Sequence, residues 1–508
     1  MGKTAFILMI ITIFSKVLGF AREMILSFYY GASNISDAYL VSLTIPNVIF
    51  SFVGASLYTG YVPIYSQVRQ DYGQDEANKY TNNLINVLII ACTIIIIFGY
   101  LFTEPLVKLF ASGFTGDTLN LAIKFTRYAI LGIYFSGLLY VYSGFIRLQD
   151  NFIIPELPVF LFNIIIIASI LLSSKIGIMT LPIGALIATA SQLIIVFPYA
   201  LKKGLKYRPT LDIRDDNLRQ MIIMVLPVIL GQSVDQINVL IDRTLASSIS
   251  VGGISALNYA SRLNGSVFAI FVNTISTIIY PLISRKAAEN NIDGLKKSVH
   301  EAINMISLLL IPASFGTAIF AEPIVKLLFG RGAFDSQATQ MTSAALLCYS
   351  FGTLAFGLRN ILSKTFYSLK DTRTPMINAT ISVAVNVIVS IVLSRYIGIA
   401  GLALGTSMAA IFCTILLAFN LRKKIGALGI RHTFKTCAKI VAASLIMGII
   451  SKIAFNEIQK YLSSNVSLLC SIALAVLIYF IAIYFMKVDE INSIIGLFRK
   501  MLKRDNTH

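Results

Sequence analysis

The sequence predicts an all-α membrane protein whose helices cross the bilayer many times. Of its 508 residues, 56% are hydrophobic and 13% are charged, which is about half the charged fraction of a typical soluble domain. Several apolar runs reach the roughly 20 residues that a helix needs to span the hydrocarbon core. These runs do not alternate apolar and polar residues, as the strands of a membrane β-barrel would.

About fourteen spans follow from the apolar runs and the polar breaks between them. In order along the chain, they cover roughly 4–27, 37–65, 83–102, 118–146, 153–173, 178–200, 217–247, 252–284, 298–320, 338–367, 375–395, 398–421, 433–454 and 466–486. The first is expected to be a retained span rather than a signal peptide, because charged residues interrupt it and it has no small-residue cleavage site.

Lys and Arg, which give the chain a formal net charge of +18, concentrate in alternate loops. Examples lie at 202–208, 285–297 and 422–424. By the positive-inside rule, those loops and both termini should be cytoplasmic. Basic loops of this kind contact anionic headgroups, so membrane lipids are the expected partners and nucleic acid is not.

Two short phrases indicate an internal repeat. EPLVKLF at 104–110 returns as EPIVKLL at 322–328, a shift of 218 positions, and LQD at 148–150 pairs with LKD at 369–371, a shift of 221. Each copy begins after an even number of predicted spans, so both enter the membrane from the same side, as in transporters built from parallel repeats. The repeat predicts two six-span lobes that flank a substrate path. An old duplication kept only as a scaffold would leave the same pattern.

This repeat predicts five segments along the chain. They are an N-lobe at 1–201 (spans one to six), a basic cytoplasmic linker at 202–216, a C-lobe at 217–424 (spans seven to twelve), an appended two-helix hairpin at 425–488 and a basic cytoplasmic tail at 489–508.

Ionisable side chains at membrane depth are candidate binding residues, because each costs about 2.5–3.5 kcal/mol there unless it has a partner or a water-filled cavity. The candidates for a central cavity are Lys16, Arg22, Glu23, Asp37, Arg262, Arg359 and Lys364. Cations from both lobes would suit a phosphate or pyrophosphate through charge-assisted hydrogen bonds. The alternative is that these charges pair internally or lie at headgroup level.

Enzyme chemistry is not expected. The sequence has no Walker-type phosphate loop, no HExxH motif, no nucleophile elbow and only three histidines. Its five cysteines lack CxxC spacing, which is typical of buried packing rather than of a metal site or a disulfide framework. No resident cofactor is expected either.

Three phrases carry a resemblance to a known family: SKVLGFAREM at 15–24, SDAYLVSLTIPN at 36–47 and FYSLKDTRTP at 366–375. Over essentially its whole length the chain resembles the MurJ/MviN family of lipid II flippases, within the wider group of multidrug, oligosaccharidyl-lipid and polysaccharide exporters. The resemblance implies a fourteen-span fold in the bacterial cytoplasmic membrane, with a cationic cavity between the lobes. It implies alternating access that moves undecaprenyl-pyrophosphate-linked disaccharide pentapeptide (lipid II) to the outer leaflet, with the cell-wall synthesis machinery as a candidate partner.

The family's cavity residues carry over to Arg22, to Glu23 (usually Asp), to Asp37 and to Arg262, while Lys16 stands where an Arg is common. One departure concerns an arginine pair that the family usually has after its LPN-like phrase. Phe50 and Ser51 lie in this region instead. Arg359, Lys364 and Arg243 are the candidates to compensate.

The resemblance also implies a candidate sodium site. Its ligands would be Asp235, Asn386, Ser390, Thr406 and the carbonyl of Leu402. Oxygen ligands suit a hard cation, although Ser390 stands where a carboxylate is expected. The energy source would then be Na⁺, H⁺ or the membrane potential. A polar packing seam between helices is the alternative.

Three other functions stay open at this point. One is export of another polyprenyl-linked oligosaccharide, such as a capsule or exopolysaccharide unit. A second is a cation-coupled multidrug antiporter, which should favour a carboxylate-rich cavity. A third is a membrane scaffold without transport, in which Arg22 and Arg262 would be replaceable.

Overall fold

The computed structural model describes residues 2–426 and 430–486, and within these ranges it contains helices and no strand. The predicted all-α fold is therefore confirmed. The predicted cytoplasmic tail, 489–508, lies outside the described residues, as do residues 427–429 and 487–488 of the predicted hairpin.

Nineteen α-helices make up this part of the chain. They are α1 (Gly2–Tyr30), α2 (Asn34–Tyr72), α3 (Gln74–Leu101), α4 (Thr103–Phe110), α5 (Gly116–Ala129), α6 (Gly132–Leu148), α7 (Pro158–Ile176), α8 (Thr180–Ser191), α9 (Leu193–Lys202), α10 (Asp216–Ile249), α11 (Gly253–Ala288), α12 (Ile292–Ile319), α13 (Ala321–Leu328), α14 (Ser336–Ser350), α15 (Thr353–Ser368), α16 (Arg373–Ile397), α17 (Ile399–Ile425), α18 (Ile430–Ile458) and α19 (Ser464–Phe485).

Many of these helices can cross a membrane. Among the described residues, ten segments are long and apolar enough, or eleven if the bent pair α14 and α15 forms one span. The helices at predicted spans one, two and seven, α1, α2 and α10, are 29, 39 and 34 residues long but are not among the ten. The multi-span architecture is confirmed, and the count of fourteen stays a prediction.

The described contacts divide the chain into two compact units. Unit 1 is Met1–Ser255 with Arg331–Asp335, and unit 2 is Ala256–Gly330 with Ser336–His508. The repeat assigns span seven to the C-lobe, whereas in the structure α10 belongs to unit 1 and packs along α2. The segment Arg331–Asp335, also inside the predicted C-lobe, belongs to unit 1 as well, and unit 2 includes the predicted hairpin. The units formed by packing therefore do not coincide with the lobes inferred from the repeat, which stay a prediction.

Aromatic side chains from α2 and α6 fill the centre of unit 1. Tyr61, Tyr65 and Phe145 are at most 1% exposed. The ring centroid of Tyr65 lies 5.5 Å from that of Tyr61 and 5.8 Å from that of Phe145. The Tyr61 hydroxyl pairs with Thr81 Oγ1 of α3 at 2.9 Å, which satisfies a polar group inside the core.

The linker between α9 and α10 is bound along α3, and we call residues 204–215 the linker strap. Asn83 Nδ2 donates to the Asp212 carbonyl at 2.8 Å, and its Oδ1 accepts from the Asp212 N–H at 2.7 Å. Three more α3 side chains donate to strap carbonyls at 2.9, 2.8 and 2.7 Å, namely Asn78 to Gly204, Asn82 to Lys206 and Asn86 to Thr210. The strap leads directly into α10, so these bonds connect the beginning of α10 to α3 within unit 1.

Polar contacts hold α11 against α15 in unit 2. The Thr353 hydroxyl donates to Asn264 Oδ1 at 2.6 Å, and the Ser276 hydroxyl donates to Asn360 Oδ1 at 3.1 Å. Hydrogen bonds between small polar residues are common where membrane helices pack. They set the rotation of α11 about its axis, and a different face of this helix remains exposed.

The two-helix hairpin, α18 and α19, packs on α12. Pro312 lies inside α12 and has no N–H, so the carbonyl of Leu308 lacks its usual helical donor. The Tyr479 hydroxyl of α19 donates to that carbonyl at 2.6 Å. The buried apolar side chains in the same cluster are Leu308, Ile311, Ile440, Ala443, Met447, Ala475, Tyr479 and Ile483.

The repeated heptapeptide forms the same local structure in both copies. α4 and α13 are each eight residues long, and they follow Phe102 and Phe320, whose φ and ψ are −104° and 28° and −106° and 20°. Each helix carries an i,i+4 pair between its Glu and its Lys. The heptapeptide thus begins a short amphipathic helix at a sharp break after a long span.

The second repeated phrase needs a correction. Asp150 and Lys370 both have left-handed backbones, with φ of 57° and 59°. The residues after them, Asn151 and Asp371, both accept backbone N–H groups on their side chains. The equivalent positions are therefore 220 apart, and the predicted shift of 221 at this loop is wrong by one residue. The letters L and D that the two phrases share therefore do not mark structurally equivalent positions.

Candidate functional site

Arg22 is held in α1 by two neighbours in unit 1. Its Nη2 donates to Glu23 Oε1 at 2.7 Å, and its Nη1 donates to Asn163 Oδ1 of α7 at 3.4 Å. The Glu23 side chain is 4% exposed and that of Arg22 is 20% exposed. The ion pair offsets the cost of placing both charges in an apolar helix, and the partly exposed guanidinium keeps donors for a ligand.

The other predicted cation of α1, Lys16, has an exposed side chain. It lies six positions before Arg22. The structure thus brings Arg22 and Glu23 together and leaves Lys16 outside that pair. Asn163 was not among the predicted residues. The sequence does offer a sign of Asn163, because it is the one amide side chain within the apolar run of α7.

Asp37 caps the beginning of α11. Its Oδ1 accepts from the Ser255 N–H at 2.7 Å and from the Ser255 hydroxyl at 2.5 Å, and Asp37 is 1% exposed. A carboxylate suits the free N–H groups and the positive dipole end of a helix N-terminus. Asp37 and Ser255 are also the positions that the repeat pairs at a shift of 218. In this structure its carboxylate is engaged by the protein, and its substrate role stays a prediction.

Glycine turns surround this cap in unit 1. Gly31, Gly252 and Gly332 have φ of 58°, 75° and 67°. A Cβ on each would lie only 2.2 to 2.3 Å from a backbone oxygen of a neighbouring segment. The Ala333 N–H donates to the Phe28 carbonyl at 2.8 Å, so the segment Arg331–Asp335 is joined to the end of α1.

A polar stripe on α11 of unit 2 includes Arg262. Arg262, Ser266, Asn273 and Thr277 are all exposed and are spaced by 4, 7 and 4 positions, which places them on one helix face. α11 is nevertheless apolar enough to span a membrane. Polar residues on such a helix usually face water or a substrate path rather than lipid. Ser266, Asn273 and Thr277 were missed in the sequence, although their helical spacing was visible there.

Arg359 and Lys364 lie on α15, and both are partly buried. Lys364 Nζ lies 5.9 Å from the centre of the Tyr280 ring of α11, within the range of a cation–π contact. The structure therefore brings Lys364 to α11. Arg243, the third candidate to compensate, lies in α10 of unit 1 and donates to the Ile254 carbonyl at 3.2 Å, beside the helix that Asp37 caps.

Phe50 and Ser51 differ in environment. Phe50 is 7% exposed and belongs to the core of unit 1, with its ring 5.5 Å from that of Tyr140. Ser51 is partly exposed and donates to the Val48 carbonyl at 2.7 Å. An arginine at Phe50 would be forced into an apolar core. Ser51 is therefore the better position at which to restore a cation.

Four of the five candidate sodium ligands lie on the packed pair α16 and α17 in unit 2. Ser390 Oγ donates to Asn386 Oδ1 at 3.1 Å, and Thr406 Oγ1 donates to the Leu402 carbonyl at 3.0 Å. The fifth, Asp235, lies in α10, and its side chain is outside the described residues. Among the described residues, no group of three His, Cys, Asp or Glu side chains could hold a metal. The oxygen-rich set of neutral donors fits an alkali cation better than a transition metal.

Known proteins resemble this chain in sequence and in fold. The family model described as lipid II flippase MurJ matches residues 26–474. A probable lipid II flippase MurJ of Vibrio cholerae is 28% identical over 463 residues, which cover 88% of this chain and 87% of that protein. The lipid II flippase MurJ of Thermosipho africanus is 27% identical over 439 residues, covering 86% and 88%.

Solved structures agree with these matches. A lipid II flippase MurJ in an inward closed conformation has a TM-score of 0.83 at 26% identity, covering 95% of this chain and 99% of that one. An inward-facing multidrug transporter of the MATE family has a TM-score of 0.71 at 16% identity, covering 82% and 95%, and so shares the fold. Because the family model spans most of the sequence, the chain belongs to the lipid II flippase MurJ family.

Proposed function

We propose that this protein moves lipid II from the inner to the outer leaflet of the bacterial cytoplasmic membrane. The observation that carries the proposal is Arg22, which the fold keeps charged and partly exposed inside a long helix by pairing it with Glu23 and Asn163. The Glu23 pair offsets the cost of the charge inside the helix, and the donors that remain on the partly exposed guanidinium suit an anionic ligand. Lipid II offers a pyrophosphate, which arginine binds through paired charge-assisted hydrogen bonds.

Arg262 is the second proposed pyrophosphate ligand. It is exposed on the polar stripe of α11, so its guanidinium needs no rearrangement of unit 2 to meet a ligand. Lys16, Arg359 and Lys364 would add positive charge, and Glu23 and Asp37 would position their neighbours. Export of another lipid-linked oligosaccharide would use the same cations, but the family match favours lipid II.

Further features of the proposal concern orientation, partners and energy. Both termini would be cytoplasmic, because the positive-inside rule assigns the basic loops, and with them the termini, to that side. Membrane lipids, and the cell-wall synthesis machinery that uses the flipped substrate, would be the partners. Na⁺ held by Asp235, Asn386, Ser390, Thr406 and the Leu402 carbonyl would couple transport to an ion gradient, with H⁺ or the membrane potential as the alternative source.

Complementation tests the proposal. The chain is expressed in cells whose own lipid II flippase can be depleted, and survival is followed together with lipid II accessibility at the outer leaflet. We expect the wild-type chain to rescue growth, and Arg22→Ala and Arg262→Ala to lose rescue while remaining folded in the membrane. Arg285→Ala is the matched control, because Arg285 is an exposed arginine near the end of α11 that pairs only loosely with Glu289, at 3.8 Å.

Two results would contradict the proposal. Rescue by either Arg22→Ala or Arg262→Ala would contradict a cavity in which both residues bind the pyrophosphate. A well-expressed wild-type chain that fails to rescue would point to another lipid-linked glycan. In that case Ser51→Arg is the first variant to examine, since Phe50 lies in the core of unit 1.

A further inference from the structure

A second polar site lies at the end of unit 2 that carries the basic segment Arg422–Lys424. We call it the amide pocket. It has a volume of about 350 Å³, which lies within the usual range for small-ligand sites, roughly 300–1,000 Å³. The lining residues that matter chemically are Thr374, Ile377, Asn378, Asn420, Lys423 and Lys424. It lies between α16 and α17 and uses none of the residues of the proposed pyrophosphate site.

Asn378 gives the pocket an unused hydrogen-bond donor. The residue is 4% exposed. Its Oδ1 accepts from Asn420 Nδ2 at 3.2 Å, but among the described residues nothing accepts a hydrogen bond from its Nδ2. A buried amide without an acceptor is destabilising, so this donor indicates a ligand that brings an acceptor.

The charge of the pocket favours an anion. Lys424 Nζ donates to Asp371 Oδ2 at 2.6 Å, and this bond together with Thr374 lowers the pKa of Asp371 to about 2. The Asp371 carboxylate therefore offsets the positive charge of Lys424. Lys423 has no ion pair within the described part of the chain, and its Nζ lies 4.5 Å from the centre of the Phe419 ring. Lys423 is thus the cation that remains available beside the buried donor.

The surface next to the pocket is apolar and exposed. Ile377 and Ile381 of α16 are each 43% exposed, and Ile415 and Phe419 of α17 are 61% and 55% exposed. Both helices are apolar enough to span a membrane, so this surface suits acyl chains. A ligand that fits both parts has a phosphate group at one end and hydrocarbon at the other.

We propose that the amide pocket binds the phosphodiester headgroup of an anionic membrane phospholipid. Lys423 Nζ donates to the phosphate oxygens, and the acyl chains lie along Ile377, Ile381 and Phe419. A turn of the buried Asn378 side chain toward the pocket supplies Nδ2 as the second donor. This site goes beyond lipid II transport, because it would be occupied whether or not the substrate is bound.

Lipid titration tests the site. The purified full chain in detergent is titrated with short-chain phosphatidylglycerol, with phosphatidylcholine of the same chain length as the headgroup control and inorganic phosphate as the soluble anion. Binding constants are measured for wild type, Lys423→Gln, Asn378→Leu and Arg422→Gln. Arg422 is the matched control, since it is an exposed cation next to Lys423 that does not line the pocket.

We expect saturable binding of phosphatidylglycerol that is stronger than that of phosphatidylcholine. Lys423→Gln and Asn378→Leu should each weaken it about tenfold, the effect of losing one charge-assisted or buried hydrogen bond, while Arg422→Gln changes it less than about twofold. Equal losses in Lys423→Gln and Arg422→Gln, or equal binding of the two lipids, would show general surface attraction and overturn the proposal.

The soluble arm separates a lipid from a free anion. Inorganic phosphate that binds as tightly as phosphatidylglycerol, and that is lost in Lys423→Gln, would assign the pocket to a soluble phosphate and overturn the lipid assignment. The unfolding temperature of each variant without added lipid checks the fold. Lys423→Gln decides the outcome if Asn378→Leu lowers that temperature, because Lys423 is exposed.

Discussion

At the scale of single residues, two glycines occupy backbone conformations that residues with a Cβ rarely adopt. Gly252 combines a positive φ of 75° with a backbone oxygen of Ala32 that would lie 2.2 Å from an added Cβ. Gly116 has a φ of 54° but open space around it. Substituting Gly116 therefore tests backbone strain alone, whereas substituting Gly252 tests backbone strain together with a steric clash.

The two alanine substitutions should differ in their effect on stability. Gly116→Ala should destabilise unit 1 by about 1 kcal/mol through the left-handed backbone alone. Gly252→Ala should cost clearly more, because the Ala32 backbone must also move. Unfolding temperatures of the purified proteins would show the difference. Equal decreases in the two variants would mean that the turn at Gly252 relaxes freely and that the close approach has no energetic consequence.

Residue types at the candidate site were predictable, but their partners were not. Arg22 and Arg262 stand out because charges are rare in apolar runs. That Asn163 holds Arg22, and that Asp37 caps α11, depends on side chains 141 and 218 positions apart in the chain. No local pattern encodes such distant contacts, although the repeat already paired Asp37 with Ser255.

At the scale of elements, the linker strap shows how a polar row organises neighbouring helices. The amides of α3 at positions 78, 82, 83 and 86 lie on one face and bind four strap residues. Apolar periodicity predicts that α3 spans the membrane, and it also predicts a polar linker. It does not predict that the linker is ordered, because asparagine side chains bond backbone groups without any hydrophobic signal.

Removing one amide of this row should loosen the strap. Asn83→Ala removes both bonds to Asp212, so amide hydrogen exchange across 204–215 should accelerate about tenfold. Lys79→Ala is the control, because Lys79 is an exposed residue of the same helix that pairs with Glu76. Hydrogen exchange with mass spectrometry gives the comparison. Unchanged exchange in Asn83→Ala would mean that the strap is held by its other contacts.

Helix boundaries were predictable where apolar runs are long and were not where a run contains a break. α16 and α17 agree with their predicted spans to within a few residues. Predicted span ten is instead the bent pair α14 and α15, with an angle of 45° between them. The composition of span ten predicts an apolar segment, but the bend between α14 and α15 depends on how these helices pack in unit 2.

At the scale of the whole molecule, the candidate sodium site predicts that Na⁺ binding is coupled to transport. The candidate ligands lie on α10, α16 and α17. If Na⁺ binds them, it should raise the unfolding temperature relative to K⁺, because a ligand that binds only the folded state stabilises it.

Asp235→Ala should abolish the sodium effect, since Asp235 is the only carboxylate among the candidate ligands. Asp216→Ala is the matched control, because it removes an exposed carboxylate from the beginning of the same helix and should keep the sodium response. Equal unfolding temperatures in Na⁺ and K⁺ for the wild-type protein would exclude coupling through this site.

The hydrogen bond from the Tyr479 hydroxyl to the Leu308 carbonyl connects the hairpin, α18 and α19, to α12. Pro312 removes a donor from one helix, and a residue 171 positions from that carbonyl returns one. A shortened chain that ended after α17 would keep Pro312 and lose the hydroxyl that donates to the Leu308 carbonyl. Tyr479 and Pro312 therefore complement each other, since one helix lacks the donor that the other supplies, and the hairpin is an integral part of unit 2.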